Sequence, residues 1–301
     1  MRKPDFFILG APKCGTTSLW AWLRAHPNVF MTEMKEPSFF NYDDHLGISN
    51  LSDYEELFRD AIDSDAAVGE ASVWYLSSPV AVEKILEYQP EARFIVLVRN
   101  PIEMAVALHS EMLISGYEDI PSFRTAWDLQ GERRQGRRIP AFGGPHRCFL
   151  YGDVCSLGAQ LQRLLDVAKG NRVLTVVLDD IQEDPRREYL KILAFLGVSD
   201  DGRVNFQVEN TARILRRPWL ARSQFLTTQV KQKLHINVGF GLLRSVYSRN
   251  VVAAARPELD QNTYNVLKEY FTRDVDLLGG LIGRNLQHWM EMSTVRAYRG
   301  T

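Results

Sequence analysis

The stretch Gly10-Ala11-Pro12-Lys13-Cys14-Gly15-Thr16-Thr17-Ser18 carries the residue types of an anion cradle. It follows the apolar run Phe6-Phe7-Ile8-Leu9 and precedes an amphipathic stretch, which is the order strand, glycine turn, helix. The N–H groups of a first helical turn lack intrahelical acceptors and point at such a turn, so the expected ligand is a phosphate or a group like it. The position of Lys13 narrows the choice. The Walker pattern Gly-x-x-x-x-Gly-Lys-Ser/Thr sets its lysine beside the last glycine, within reach of the β- and γ-phosphates. Here Gly10 and Gly15 are kept, Thr16-Thr17 follow, and the lysine stands two places ahead of Gly15. Arg99 is the second polar residue to follow an apolar run, Phe94-Ile95-Val96-Leu97-Val98, and Asn100-Pro101 after it is the pair that caps and opens a helix. Ligands of open α/β sheets bind outside the carboxyl ends of the strands, so Lys13 and Arg99 occupy comparable places.

The elements that must position them alternate along the chain. Strands are expected at Phe6–Leu9, Val29–Met31, Val68–Glu70, Phe94–Val98 and Val173–Leu178, the Phe94 run being continuous enough for a central parallel strand. Helical spacing marks Thr17–Ala25, Tyr54–Ala61, Val80–Tyr88, the stretch from Pro101 with Ala105, His109, Met112 and Leu113 on one stripe, and the stretch from Pro185 to the stop at Gly197. A long helix with Tyr264, Leu267, Phe271, Val275 and Leu278 on its apolar face follows. This alternation predicts an α/β fold with a mostly parallel central sheet flanked by helices.

The Lys13 segment resembles the 5′-phosphosulfate loop, Pro-Lys-x-Gly-Thr-Thr-Ser/Thr, of sulfotransferases that use 3′-phosphoadenosine 5′-phosphosulfate (PAPS). The segment from Arg99 to Ala105 is similar to their 3′-phosphate-binding segment, and Lys35-Glu36-Pro37-Ser38-Phe39-Phe40 to the Lys-Glu-x-His-Phe-Phe segment of the carbohydrate branch. Gly69-Glu70-Ala71-Ser72 and Phe195-Leu196-Gly197-Val198 look like further landmarks, so the resemblance spans most of the chain. In motif it is closest to the carbohydrate, heparan-type and bacterial members. The resemblance implies a three-layer, P-loop-like fold and transfer of a sulfuryl group to a hydroxyl or amine of a small-molecule or carbohydrate acceptor, leaving adenosine 3′,5′-bisphosphate (PAP). It assigns the 5′-phosphosulfate to Lys13, Cys14, Gly15, Thr16, Thr17 and Ser18, and the 3′-phosphate to Arg99. Lys13 would stabilise the leaving oxygen and Glu36 would act as base, with His109 in reserve. No metal is expected, and Cys14 is given no nucleophilic role.

Two departures stand out. Where the family places a serine on the 3′-phosphate, eight residues after the arginine, this chain has Ala107; the missing contact is worth about 1 to 2 kcal/mol. Ser110, Arg213, Arg216 and Arg217 are the residues left to replace it. Ser38 stands where histidine is common after the glutamate, and Ala71 where some glycosaminoglycan enzymes carry lysine; both bear on the acceptor rather than the donor.

Composition sets the remaining bounds. The chain has 301 residues and no Pro/Gly/Ser-rich linker, so a single domain over 1–301 is expected. A net charge of −1 argues against a general nucleic-acid binder, and Arg133, Arg134, Arg137 and Arg138, set among glycines, read as a solvated loop. Three cysteines without paired spacing fit reduced thiols, and no apolar run approaches the length that crosses a bilayer, so a cytoplasmic protein without membrane insertion is expected. Oligomeric state is left open. Two other readings compete: a P-loop ATP-dependent small-molecule kinase, favoured by the Walker-B-like Val176-Val177-Leu178-Asp179-Asp180, and a non-catalytic nucleotide-binding scaffold, favoured by Ala107.

Overall fold

The structure is a computed structural model that describes residues 2–41, 47–141, 144–209, 213–233, 250–253 and 259–292. The five expected strands form one sheet: β1 Phe6–Gly10, β2 Val29–Met31, β3 Ala67–Ala71, β4 Arg93–Val98 and β5 Val173–Val177. Their order is β2-β3-β1-β4-β5 and every pairing is parallel, with Phe6 opposite both Gly69 and Arg93. The apolar runs have the physical cause expected of a parallel sheet covered on both faces. Phe6 to Leu9 and Phe94 to Val98 are all fully buried.

Helices follow as α1 Thr16–Arg24, α2 Leu51–Glu56, α3 Ala81–Tyr88, α4 Pro101–Ile114, α5 Phe123–Asp128, α6 Gln130–Arg134, α7 Tyr151–Cys155, α8 Leu157–Val167, α9 Leu178–Glu183, α10 Pro185–Leu196 and α11 Pro218–Lys233, then the long helix Gln261–Ile282. Most lie where periodicity put them. Asp184 caps α10 by accepting from Arg187 N at 2.9 Å, Pro185 opens it, and Gly197 closes it with φ 71°. Two differ. α2 begins earlier than Tyr54 because Asn50 Oδ1 takes Asp53 N at 2.8 Å, a capping signal the apolar spacing did not reveal. The run at Val173 stops at Val177, and Leu178 starts α9 directly.

The chain groups into two compact units, each assembled from separated segments. The first comprises 1–100, 156–210 and 274–286 and contains the parallel sheet; the second comprises 101–155, 211–273 and 287–301. Within the second unit β6 Arg213–Leu215 pairs antiparallel with β7 Val251–Ala253. The expected solvated loop of arginines fails there at Arg133. This residue lies in α6 with no exposure, and its guanidinium makes a two-pronged ion pair with the equally buried Glu118 at 2.8 and 2.9 Å. Tyr151 OH donates to the same carboxylate at 2.7 Å. Burial pushes the Glu118 carboxyl up, but Arg133 and Tyr151 outweigh it and hold it below the usual carboxylate range.

Candidate functional site

The glycine turn begins where β1 leaves the centre of the sheet. Gly10 (φ +138°) and Gly15 (φ +91°) adopt backbone conformations that L side chains rarely take. A Cβ at Gly10 would meet Val73 O at 2.5 Å, so the close approach also demands glycine. The first intrahelical bond of α1 runs from Leu19 N to Gly15 O, and the amides of Thr16, Thr17 and Ser18 precede it. They face the turn, where the helix dipole favours an anion. Ala11 N donates to Leu97 O at 3.0 Å, which ties the turn to the end of β4. Arg99, just past that end, donates from Nη1 to Lys13 O at 2.9 Å. Lys13 and Arg99 thus meet at the carboxyl ends of adjacent strands, and the residues present fit a bis-anionic nucleotide.

Lys13 itself has φ 63° and is half-buried. Cys14 beside it is fully buried, and burial pushes its thiol up to about 12 despite the nearby charges of Arg99 and Lys13. It is a neutral thiol packed under the turn. Ser18 is engaged from elsewhere, its hydroxyl accepting Glu209 N at 3.0 Å, and Trp22 Nε1 donates to Gln207 O at 2.9 Å. Together these lay the 207–209 segment along α1.

Glu36 arrives from beyond β2, on a segment fastened to β3. Its amide donates to Ala71 O at 2.9 Å, and its carboxylate Oε2 accepts Val73 N at 2.8 Å while Lys35 Nζ pairs with Oε1. Val73 therefore meets the glycine turn through its carbonyl and the glutamate through its amide. Like Lys13, Glu36 holds a left-handed backbone, φ 64°. Behind it Glu70 is fully buried, taking Tyr54 OH at 3.2 Å and Ser72 Oγ at 2.9 Å. Sequence reading marked Gly69-Glu70-Ala71-Ser72 as a landmark but gave Glu70, Ser72, Val73 and Lys35 no individual part. Only a charge inside an apolar strand run signalled Glu70.

The remaining expected residues, apart from the Walker-B-like pair, belong to the second unit. His109 lies in α4 with its ring packed edge-on against Phe123 and Tyr151, and its Nε2 is 2.9 Å from Ile120 O. Burial holds its pKa below the ordinary range. Ala107 is buried in the same helix, and the Ser110 hydroxyl donates to Val106 O at 2.9 Å. The backbone of Arg213 lies in β6, and its side chain is outside the described residues. Arg216 and Arg217 are exposed. Of the Walker-B-like pair, both in the first turn of α9, Asp180 is ion-paired with Arg284.

A parallel sheet with a glycine turn and a helix N-terminus at its carboxyl edge and an arginine past the next strand defines a P-loop-like α/β protein. Residues 3–214 match the family described as "Sulfotransferase domain", and the chain belongs to that family. Its structure is similar to that of a sulfotransferase from Alicyclobacillus acidocaldarius, with a TM-score of 0.73 and 26% identity over 97% of this chain and 100% of that one. Curated relatives include human heparan sulfate glucosamine 3-O-sulfotransferase 6, 32% identical over 41% of this chain and 34% of that protein. Another is the membrane-associated sulfotransferase kil1 of Dictyostelium discoideum, 28% identical over 35% of this chain and 22% of that protein. The matches thus span about a fifth to a third of these relatives' own length. Among the described residues no helix is long and apolar enough to cross a membrane.

Proposed function

We propose that this chain is a PAPS-dependent sulfotransferase acting on a hydroxyl or amine of a small-molecule or carbohydrate acceptor, with both compact units forming one functional domain. Each unit is built from interleaved segments, so neither is a contiguous piece of chain. The observation that carries the reading is Val73, whose carbonyl abuts Gly10 of the cradle while its amide holds the Glu36 carboxylate. One residue thereby spaces a candidate base from a candidate donor site.

The donor supplies an activated sulfuryl group on a phosphate leaving group. The α1 amides with Thr16 and Thr17 hold the 5′ anion, and Arg99 pairs with the 3′-phosphate as a planar fork. Glu36 takes the proton of the attacking hydroxyl as its oxygen bonds to sulfur. Lys13 stabilises the charge that the breaking sulfur–oxygen bond leaves on the bridging oxygen. His109, engaged with the Ile120 carbonyl in its own core, has no part in this scheme. The thiols of Cys14, Cys148 and Cys155 are buried and not joined in disulfides, which supports a reducing, cytoplasmic location.

The test is thermal. PAP should raise the melting temperature without Mg²⁺, by the equivalent of about 2.7 kcal/mol at a hundredfold excess over its dissociation constant, and ATP with Mg²⁺ should do little. The reverse pattern would give the site to a kinase. A screen of acceptor classes with labelled PAPS then finds the acceptor.

A further inference from the structure

Glu70 is a carboxylate for which sulfuryl transfer has no direct use, yet the fold buries it completely in the middle of β3's hydrogen-bonded neighbourhood. Burial of an ionisable group is unfavourable unless its hydrogen bonds do something an apolar side chain cannot. Its partners are hydroxyls: Tyr54 OH on Oε1, Ser72 Oγ on Oε2, and Tyr75 beside them. Each hydroxyl has one hydrogen to give and lone pairs to spare, and the carboxyl accepts from Tyr54 on one oxygen and from Ser72 on the other. Glu70 therefore draws the hydroxyl hydrogens inward and leaves the lone pairs facing out.

What the outward lone pairs hold is the segment carrying Glu36. Ser72 Oγ accepts Ser38 N at 3.1 Å, and Tyr75 OH accepts Phe40 N at 3.3 Å. The Tyr54 ring stacks on Phe39, centroids 4.7 Å apart and planes 14° from parallel. Three successive residues, Ser38, Phe39 and Phe40, are thus each held by one of the residues grouped around Glu70. Just before them the backbone makes left-handed turns at Glu36 (φ 64°) and Ser38 (φ 51°), conformations that persist only when the surroundings impose them.

We propose that Glu70 is a positioning residue for Glu36, acting through Ser72 and the two tyrosines to fix the turns that aim the Glu36 carboxylate at the β3 end. The inference rests on Glu36 being the base. It extends that reading, because it assigns the setting of the base to a residue that touches neither donor nor acceptor.

The test is made on the full chain by amide hydrogen exchange, with the ¹³Cδ resonance of Glu36 as a second readout. In Ser72→Ala the Ser38 amide should exchange about tenfold faster, the equivalent of one hydrogen bond, and the Glu36 resonance should shift. β1 and β4 amides and the melting shift given by PAP should not change. Glu70→Ala should free both the Ser38 and Phe40 amides, and Glu70→Gln, which keeps one acceptor oxygen, should fall between it and the parent. Ser77→Ala is the control, since that hydroxyl serves only the Trp74 carbonyl at 3.0 Å. Unchanged Ser38 exchange in Ser72→Ala overturns the proposal, as does equal loosening of β1 and β4. Should Glu70→Ala fail to fold, Ser72→Ala and Glu70→Gln decide. Full transfer activity in Glu36→Gln would remove the base assignment alone, because exchange at Ser38 reports the positioning independently.

Discussion

Lys13 and Glu36 share a backbone conformation that neither side chain favours, at a cost of about 1–2 kcal/mol each for a residue with a Cβ. Arg99 holds the first through its carbonyl, and the hydrogen bonds to Ala71 and Val73 hold the second. Lys13→Ala should lower the transfer rate about 10²- to 10³-fold, the usual effect of removing one charge-stabilising donor, while the melting shift given by PAP is largely kept. Arg99→Lys should behave differently, shrinking that melting shift, because a lysine supplies neither the fork for a phosphate nor the reach to the Lys13 carbonyl. Equal effects of both substitutions on rate and on PAP binding would contradict this division of labour. Lys13, Arg99 and Glu36 were legible in the sequence because each is a polar residue in a motif that follows a strand. Glu70, Ser72 and Val73 were not, since the segment that Ser72 and Val73 hold lies some 35 residues away from them and only the pairing of β3 beside β2 brings the two together.

At the scale of elements, largely apolar stretches located all five sheet strands, because a strand covered on both faces is mostly apolar, and Glu70 in β3 is tolerated only with hydroxyl partners. Ends were less legible wherever a side-chain cap or a charge decided them, as at Asn50 before α2. The sharpest failure, Arg133, shows why. A run of arginines among glycines looks solvated until a distant Glu118 makes burial tolerable. Arg133→Met should therefore cost about 3–5 kcal/mol in chemical denaturation, since it strands a buried carboxylate, and adding Glu118→Leu should recover much of that loss. No recovery in the double variant would mean that the pair contributes net stability. In the sheet, Gly69→Ala would set a Cβ 2.3 Å from the Phe6 ring, and both residues are buried. A destabilisation of about 1–3 kcal/mol is expected from that overpacking, and a loss below 0.5 kcal/mol would show that β1 and β3 yield more easily than their register implies.

For the molecule as a whole, stability must change with pH through groups buried in opposite senses. Burial lowers the pKa of His109, so the folded chain keeps that ring neutral while the unfolded chain protonates it below its ordinary 6.5; this contribution is present at higher pH and is lost as pH falls. Glu70 works the other way. Burial, aided by the charge of Glu36 and opposed by the hydroxyls of Ser72, Tyr75 and Tyr54, pushes its carboxyl up from 4.5 to about 7. Between those values the folded state retains a proton that the unfolded state gives up, so stability is full below pH 4.5, declines as pH rises to about 7, and then stays level. The decline attributable to Glu70 is about 3 kcal/mol at 1.36 kcal/mol per pH unit. Glu70→Gln cannot titrate and should escape it. Denaturant melts of the two proteins across pH 4.5 to 8 should therefore show the variant gaining on the parent up to about pH 7 and holding its gain above that. A difference that does not move with pH would mean that Glu70 ionises as an ordinary carboxylate, with its hydroxyl partners fully offsetting its burial.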